Sequence, residues 1–204
     1  MNNTFFVIED HSLTNLGIRE ILQDKTDFTC AGFAMDESDA FEKLTELDMK
    51  GALPKVLVLD LFLGRDSGID VLREVNRHFP SIGVVVYSMY SNPGIVSVVL
   101  ASGAKGFVSK AGSDMELVEA IKAVASGGTY IQKSLVEPLH MFKNIFLSLT
   151  KSEQSVLAKV IERKNIQQIS EELSIPTHSV ESYLLRIFGK TGCKNVDALI
   201  ERFG

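Results

Sequence analysis

The sequence predicts an α/β chain: a (βα)5 doubly wound parallel sheet followed by a small all-α domain of helix-turn-helix form. Three observations point there. Five short apolar runs alternate with stretches of helical periodicity in the first part of the chain. Acids, a hydroxyl and a lysine stand where those runs stop. From Leu149 onward the pattern is wholly helical.

The runs "TFFVIED", "FTCAGFA", "KVLVLD", "IGVVVYS" and "GFVS" read as strands, because they are short and rich in β-branched residues. They are apolar without alternation, as expected of parallel strands covered on both faces by crossover helices. Leu13, Leu16 and Ile21 mark the first helix; Ala40, Leu44 and Leu47 the second; Ile69, Leu72 and Val75 the third. Ile95, Val99 and Leu100 mark the fourth, and Leu117, Ile121 and Val124 the fifth. Gly127 and Gly128 in "SGGTYIQKS" then stop the pattern.

Residues 1–128 are therefore expected to form the first domain and 129–147 a partly helical linker. In the linker Leu135, Leu139, Phe142 and Phe146 share a helical face interrupted by Pro138, a stripe suited to packing on a neighbouring domain or to dimerisation. Residues 148–204 form the second domain. There Val156, Leu157, Val160 and Ile161 line one helix, and Ile166, Ile169 and Leu173 the next. Pro176 in "SIPTHS" breaks the chain, Thr177, alone or with Ser179, is placed to cap, and a helix from about 177 to 190 turns Val180, Leu184 and Ile187 inward. Two helices joined by a tight turn, the second with a polar exposed face, make a helix-turn-helix.

Composition supports two modest folded domains: 204 residues, 45% hydrophobic, five prolines. Cys30 and Cys193 show no CxxC or Cys/His spacing, which argues against a structural zinc site or a disulfide framework. "MNNTFFVIEDH" lacks the basic start and long apolar stretch of a targeting segment, and a soluble, cytoplasmic protein is expected. The net charge of −5 is unevenly spread. Up to Lys143 there are 13 Lys and Arg against 19 Asp and Glu, giving −6; the remainder has 8 against 7, giving +1. A near-neutral second domain supports nucleic-acid binding only weakly.

In an open parallel sheet the functional crevice lies at the carboxyl ends of the strands. Glu9 and Asp10 end the first strand, Asp60 the third and Ser88 the fourth, while Lys110 follows the fifth. Gathered carboxylates repel unless neutralised, and Mg2+, hard and oxygen-seeking, is the fitting cation. A carboxylate beside Mg2+ can attack a phosphoryl group, with the Lys110 ammonium sharing the developing charge and the Ser88 hydroxyl bonding a phosphoryl oxygen. Singly, Asp60 could cap a helix, Ser88 be a buried hydroxyl and Lys110 a surface charge. Their joint placement at four strand ends favours a phosphoryl site.

"VIEDHSLTNLGIREIL", "VLDLFLGRDSG", "VVVYS" and "GAKGFVSKA" resemble the flavodoxin-like receiver domain of two-component response regulators. "AIKAVASGGTYI" is similar to the end of that domain in the NarL/FixJ subfamily, and "LTKSEQSVLAKVIERKNIQQISEELSIPTHSVESYLLRIFGKTGCKNVDAL" resembles the LuxR-type helix-turn-helix domain. The resemblance implies a regulator and not an enzyme. Asp60 would accept phosphoryl from a histidine kinase; Glu9, Asp10 and Asp60, with the Phe62 backbone carbonyl, would hold Mg2+. Lys110 would pair with the phosphoryl group, and Ser88 with Phe107 would form the switch. It further implies double-stranded DNA as partner, faced by Thr177, His178, Glu181, Ser182, Leu185, Arg186 and Lys190, and a homodimer at least when phosphorylated.

Departures from the family pattern sharpen these expectations. Gly64 stands where a proline usually follows the phosphoacceptor loop, which should loosen that loop. Phe62 and Tyr90, each two residues beyond a site residue, are placed to shield the phosphoryl and slow its hydrolysis. Glu181 replaces a commonly basic residue and Tyr183 a common histidine, so the alternative is a regulator whose helix-turn-helix domain works through protein contacts. A phosphatase of the haloacid dehalogenase kind would need a second Asp two residues after Asp60, and Phe62 occupies that place.

Overall fold

The computed structural model describes residues 3–64 and 66–203, so Arg65 of the "VLDLFLGRDSG" motif lies outside the described residues. Two compact units are present: Met1–Met89 with Val99–Gln132, and Tyr90–Val98 with Lys133–Gly204.

In the first unit the strands β1 (Thr4–Ile8), β2 (Thr29–Ala34), β3 (Val56–Leu59), β6 (Gly83–Ser88), β7 (Gly106–Ser109) and β8 (Tyr130–Ile131) form one parallel sheet in the order β2-β1-β3-β6-β7-β8. The first five are those the apolar runs predict. The sixth, β8, is not foreseen: two residues are too short for a hydrophobic signature. It is carried by backbone bonds from Tyr130 N to Lys105 O at 2.9 Å and Gln132 N to Phe107 O at 3.0 Å. Between β3 and β6 a small antiparallel hairpin pairs β4 (Phe62–Leu63) with β5 (Asp66–Ser67).

The chain leaves β1 toward β2 and returns past it to β3, so order reverses between β1 and β3. A crevice therefore opens at their carboxyl ends. The register sets Ile8 opposite Leu59 and Leu59 opposite Val86, which brings the residues that follow each to one rim. Phe5, Val7, Val56, Val58, Val85 and Val108 pack with Ile18 and Leu22 of α1 (Ser12–Lys25) and Leu117 and Ile121 of α5 (Asp114–Ala125). The alternate residues Phe6, Ile8, Leu57, Leu59, Val84 and Val86 are equally buried, as two-sided coverage requires.

Helix α1 corrects the expected face. Leu13 is 83% exposed and Leu16 also faces solvent, while the buried residues are Asn15, Ile18 and Leu22. Apolar spacing misassigned this helix because one of its core positions is held by a polar residue. The other helices keep their expected faces: Ala40 and Leu44 in α2 (Glu37–Met49), and Ile69, Leu72 and Val75 in α3 (Gly68–His78), are buried. In α4 (Pro93–Ala101), Ile95 and Val99 are buried.

The second unit contains α6 (Lys133–Leu147), α7 (Lys151–Ile161), α8 (Ile166–Leu173), α9 (Thr177–Thr191) and α10 (Val196–Phe203). Pro138 does not interrupt α6, which runs through it and buries Leu139 and Phe142. Phe142 meets Phe203 of α10 with ring centroids 5.3 Å apart, so the linker stripe packs within this unit. Helices α7 and α8 both start with capping boxes, Thr150 with Glu153 and Asn165 with Gln168. Ser174 closes α8 in the left-handed conformation, and the Ile175 amide returns to the Ser170 carbonyl at 3.0 Å. Pro176, not Thr177 alone or with Ser179, is the N-cap of α9. The α9 backbone turns helical at once after the fixed φ of proline, so Thr177 falls inside the first turn.

Candidate functional site

Three side chains from three strand ends meet in the first unit. The Lys110 Nζ, following β7, donates to Glu9 Oε2 at 2.6 Å and to Asp60 Oδ2 at 2.7 Å. Glu9 is 1% exposed and Asp60 6%. Buried carboxylates need partners, and a single ammonium serves both. Burial alone would push the Lys110 pKa down, but the hydrogen bonds and charges of Asp60 and Glu9 outweigh it and hold it above the ordinary lysine value. The remaining Asp60 oxygen, Oδ1, accepts from the Leu61 amide at 2.7 Å.

Asp10, which follows Glu9, is more open than Glu9. His11, absent from the sequence-based set, stands beside it: its Nδ1 lies 2.8 Å from Asp10 Oδ1 and 3.3 Å from Glu9 Oε1. One ligand atom from each of Glu9, Asp10 and His11 falls within 4.8 Å of the others. A neighbouring imidazole is a signal the sequence carries, but its relevance depends on the β1–α1 turn that folds it back.

Ser88 and Phe107 are fully buried. Ser88 pairs with Ser109 in the β6–β7 register, and its carbonyl accepts from Lys110 N at 2.9 Å, which ties the hydroxyl-bearing strand end to the lysine. Phe107 lies opposite Val86. Phe62 occupies β4 and is 43% exposed.

The loop after Asp60 enters the small β4–β5 hairpin. Gly64 turns the β4–β5 hairpin with φ of 62°, a left-handed value that the proline ring, locked near −65°, cannot take. A side chain on Gly64 would approach Asp10 Oδ2, at 3.7 Å from an added Cβ. Asp66 of the hairpin accepts from the Glu37 amide, the first of α2, at 3.1 Å, while the N-cap Asp36 accepts from the Asp39 amide.

In the second unit the seven residues expected to face DNA, Thr177, His178, Glu181, Ser182, Leu185, Arg186 and Lys190, are all exposed on α9, opposite the buried Val180, Leu184 and Ile187. Their donors are partly engaged already. Ser182 Oγ donates to the His178 carbonyl at 2.9 Å, and the Arg186 guanidinium stands 5.7 Å over the Tyr183 ring. Lys190 Nζ donates to Glu153 Oε2 at 2.6 Å and reaches the Ser148 carbonyl at 3.5 Å. Lys190 is thus a structural partner of a buried acid as well as a surface cation. Its ammonium, with the Thr150 amide, holds Glu153 below the usual carboxylate range.

Comparison with known proteins agrees with this geometry. The response regulator receiver domain matches residues 5–122, and the bacterial regulatory proteins of the luxR family match residues 147–203. The response regulator UvrY of Escherichia coli K12 is 25% identical over 193 residues, covering 90% of this chain and 85% of that protein. The oxygen regulatory protein NreC of Staphylococcus epidermidis is 27% identical over 209 residues, covering 96% and 94%. Among solved structures, RcsB from Salmonella enterica serovar Typhimurium, bound to promoter P1flhDC in the presence of phosphomimetic BeF3-, superposes with a TM-score of 0.72 at 27% identity, covering 99% and 98%. With the receiver match alone spanning more than half its length, the chain belongs to the response regulators, carrying a receiver domain followed by a luxR-type DNA-binding domain.

Proposed function

We propose that Asp60 is the phosphoacceptor of a phosphorylation-controlled transcription regulator. The observation that carries this reading is the joining of Asp60 and Glu9 through Lys110 at the β1/β3 reversal. A carboxylate oxygen of Asp60 forms the new bond to phosphorus as the bond to the histidine nitrogen of a kinase breaks, and Lys110, already within hydrogen-bond reach of Asp60, follows the phosphoryl oxygens. Ser88 offers its hydroxyl to one of them, and Phe107 is the aromatic partner of that switch.

Glu9, Asp10 and Asp60, with the Phe62 carbonyl, would hold Mg2+. An all-oxygen set with two or three carboxylates suits that ion, which when bound neutralises charge on the transferring group. The chain is read as cytoplasmic and non-enzymatic; among the described residues no helix is long and apolar enough to cross a membrane.

Residues 1–128 are read as the receiver, 129–147 as the linker and 148–204 as the output domain, close to the matched spans 5–122 and 147–203. A phosphoryl group adds roughly two negative charges at the strand ends, enough to bias a two-state element. Double-stranded DNA and a second copy of the chain are the partners controlled in this way, with Thr177, His178, Glu181, Ser182, Leu185, Arg186 and Lys190 as the DNA-facing set. One observation favours a second reading, output through protein contacts: Glu181 is exposed mid-helix while Lys190 is engaged by Glu153.

Gel-shift and oligomer mass, measured with and without beryllofluoride and Mg2+ on wild type and Asp60→Asn, test the proposal. Tighter, salt-sensitive retention of particular chromosomal fragments, together with a rise in mass in wild type alone, is expected. An identical response of Asp60→Asn defeats the phosphoacceptor assignment; a mass change without DNA retention transfers support to protein contacts.

A further inference from the structure

One core position of α1 is spent on an amide. Asn15 is 2% exposed, on the same face as Ile18 and Leu22, where an aliphatic side chain would be the ordinary choice. A buried amide is costly unless its donors and acceptor are used. Those of Asn15 are used at both ends. Its Nδ2 donates to the Glu9 carbonyl at 3.1 Å and lies 3.5 Å from the Ala34 carbonyl, while its Oδ1 accepts from Arg19 Nε at 3.0 Å. Arg19 is itself held with its guanidinium 4.1 Å over the Phe33 ring. This chain of contacts fixes which way the amide points, NH2 toward the strand ends and oxygen toward Arg19.

The carbonyl that Asn15 grips belongs to the peptide joining Glu9 to Asp10. Glu9 is held from its other side too, since its N–H donates to the Ala34 carbonyl at 3.1 Å. With N–H and C=O both fixed, the backbone torsions of Glu9 are set, and with them the direction in which Asp10 leaves relative to the Glu9 side chain. The spacing of two carboxylates is what a cation site must hold. Partners of this kind, bonded to the frame of the ligands and not to the ion, commonly change metal affinity tenfold or more when removed.

We propose that Asn15 is a positioning residue for the divalent-cation site: it clamps the Glu9–Asp10 peptide and so pre-sets the geometry in which the two carboxylates meet the ion. The proposal rests on the reading of Glu9 and Asp10 as cation ligands, and the experiment separates the two. Mn2+ is titrated into the full chain by calorimetry, and the electron paramagnetic resonance spectrum of the bound ion is recorded, for wild type, Asn15→Leu, Arg19→Leu and Asp10→Asn.

Asn15→Leu, nearly isosteric and apolar, should raise the Mn2+ dissociation constant by about tenfold or more and alter the bound spectrum, with a thermal midpoint close to wild type. Arg19→Leu leaves the amide in place but unlocks its orientation, and should move the dissociation constant the same way by less. It also serves as the test if Asn15→Leu fails to fold. Asp10→Asn should abolish tight binding. If Asp10→Asn binds Mn2+ like wild type, or wild type binds none, the ligand assignment falls and this proposal with it. If Asp10→Asn loses binding while folded Asn15→Leu keeps wild-type affinity and spectrum, or Arg19→Leu does so where Asn15→Leu is unfolded, only the role of Asn15 is overturned.

Discussion

Glu153 closes the capping box of α7 through the Thr150 amide at 2.8 Å and holds Lys190 of α9 at 2.6 Å, all from a buried position. Removing its charge in Glu153→Gln should destabilise the luxR-type domain by about 1–3 kcal/mol at neutral pH, because the buried acceptor loses the charge that strengthens its bonds to Lys190 and the Thr150 amide. The sign of the pH dependence follows from a folded pKa held below the ordinary 4.5: the contribution is present above that value and is lost as pH falls through the folded one. Urea unfolding of wild type and variant, stepped downward from pH 7, should show two curves that converge in acid. A difference that persists there would mean the ion pair is not its origin. Phe62 makes a second case. It is exposed in the hairpin that follows Asp60, and if Asp60 carries the phosphoryl group, Phe62→Ala should shorten its half-life several-fold, read as loss of labelled phosphate from the purified protein. An unchanged half-life removes Phe62 as a shield. Glu9, Asp10, Asp60, Ser88 and Lys110 were legible as candidates because they stand at the ends of apolar runs. His11, Asn15 and Glu153 were not: each is an ordinary polar residue until its neighbours are placed.

Elements divide in the same way. Helices with strong apolar spacing, such as α3, α5 and α7, bury the predicted faces. Helix α1 does not, since Asn15 takes a core position and Leu13 and Leu16 face outward. Pro138 reads in sequence as a break, yet α6 passes through it with Leu139 and Phe142 buried beyond, apolar packing offsetting one missing ladder bond. The junction from Asp60 into α3 has a tighter constraint. A Cβ on Gly68 would stand 2.4 Å from the Asp60 carbonyl oxygen and 2.5 Å from the Leu61 Cα, both backbone atoms that cannot swing aside. Gly68→Ala should therefore cost about 1–3 kcal/mol and displace Asp60. A lowered receiver melting temperature with reduced phosphorylation by a small-molecule phosphodonor would bear this out, and wild-type values of both would refute it. Helices α7 and α8 are joined by charge: Lys159 of α7 reaches Glu172 of α8 at 2.6 Å, and Glu162 at the end of α7 at 3.0 Å.

Across the whole molecule, charge separates two chemistries. The residues up to Lys143 carry −6 and the rest +1, by the counts of 13 against 19 and 8 against 7. An acidic first part suits a cation and a phosphoryl switch, whereas the second brings few cations to a duplex. Few phosphate contacts mean a shallow salt dependence, about −0.9 per contact in a log–log plot. Arg186→Ala should make that slope shallower by about one if Arg186 meets a phosphate; Lys190→Ala should in addition lower domain stability, since it strips Glu153 of its partner. Equal slopes for wild type and Arg186→Ala would leave α9 without its best phosphate contact and strengthen the protein-contact reading.

By itself the sequence determined the alternation of strands and helices, the two-domain order and the residues at the strand ends, since apolar periodicity and chain punctuation are local properties. Tertiary structure alone decided that Lys110 serves Glu9 and Asp60, 101 and 50 positions away, and that Lys190 answers Glu153, 37 positions away. The physical reason is range: hydrophobic pattern is written over a few neighbouring residues, whereas the partner of a buried charge is chosen by whichever strand or helix the fold lays beside it.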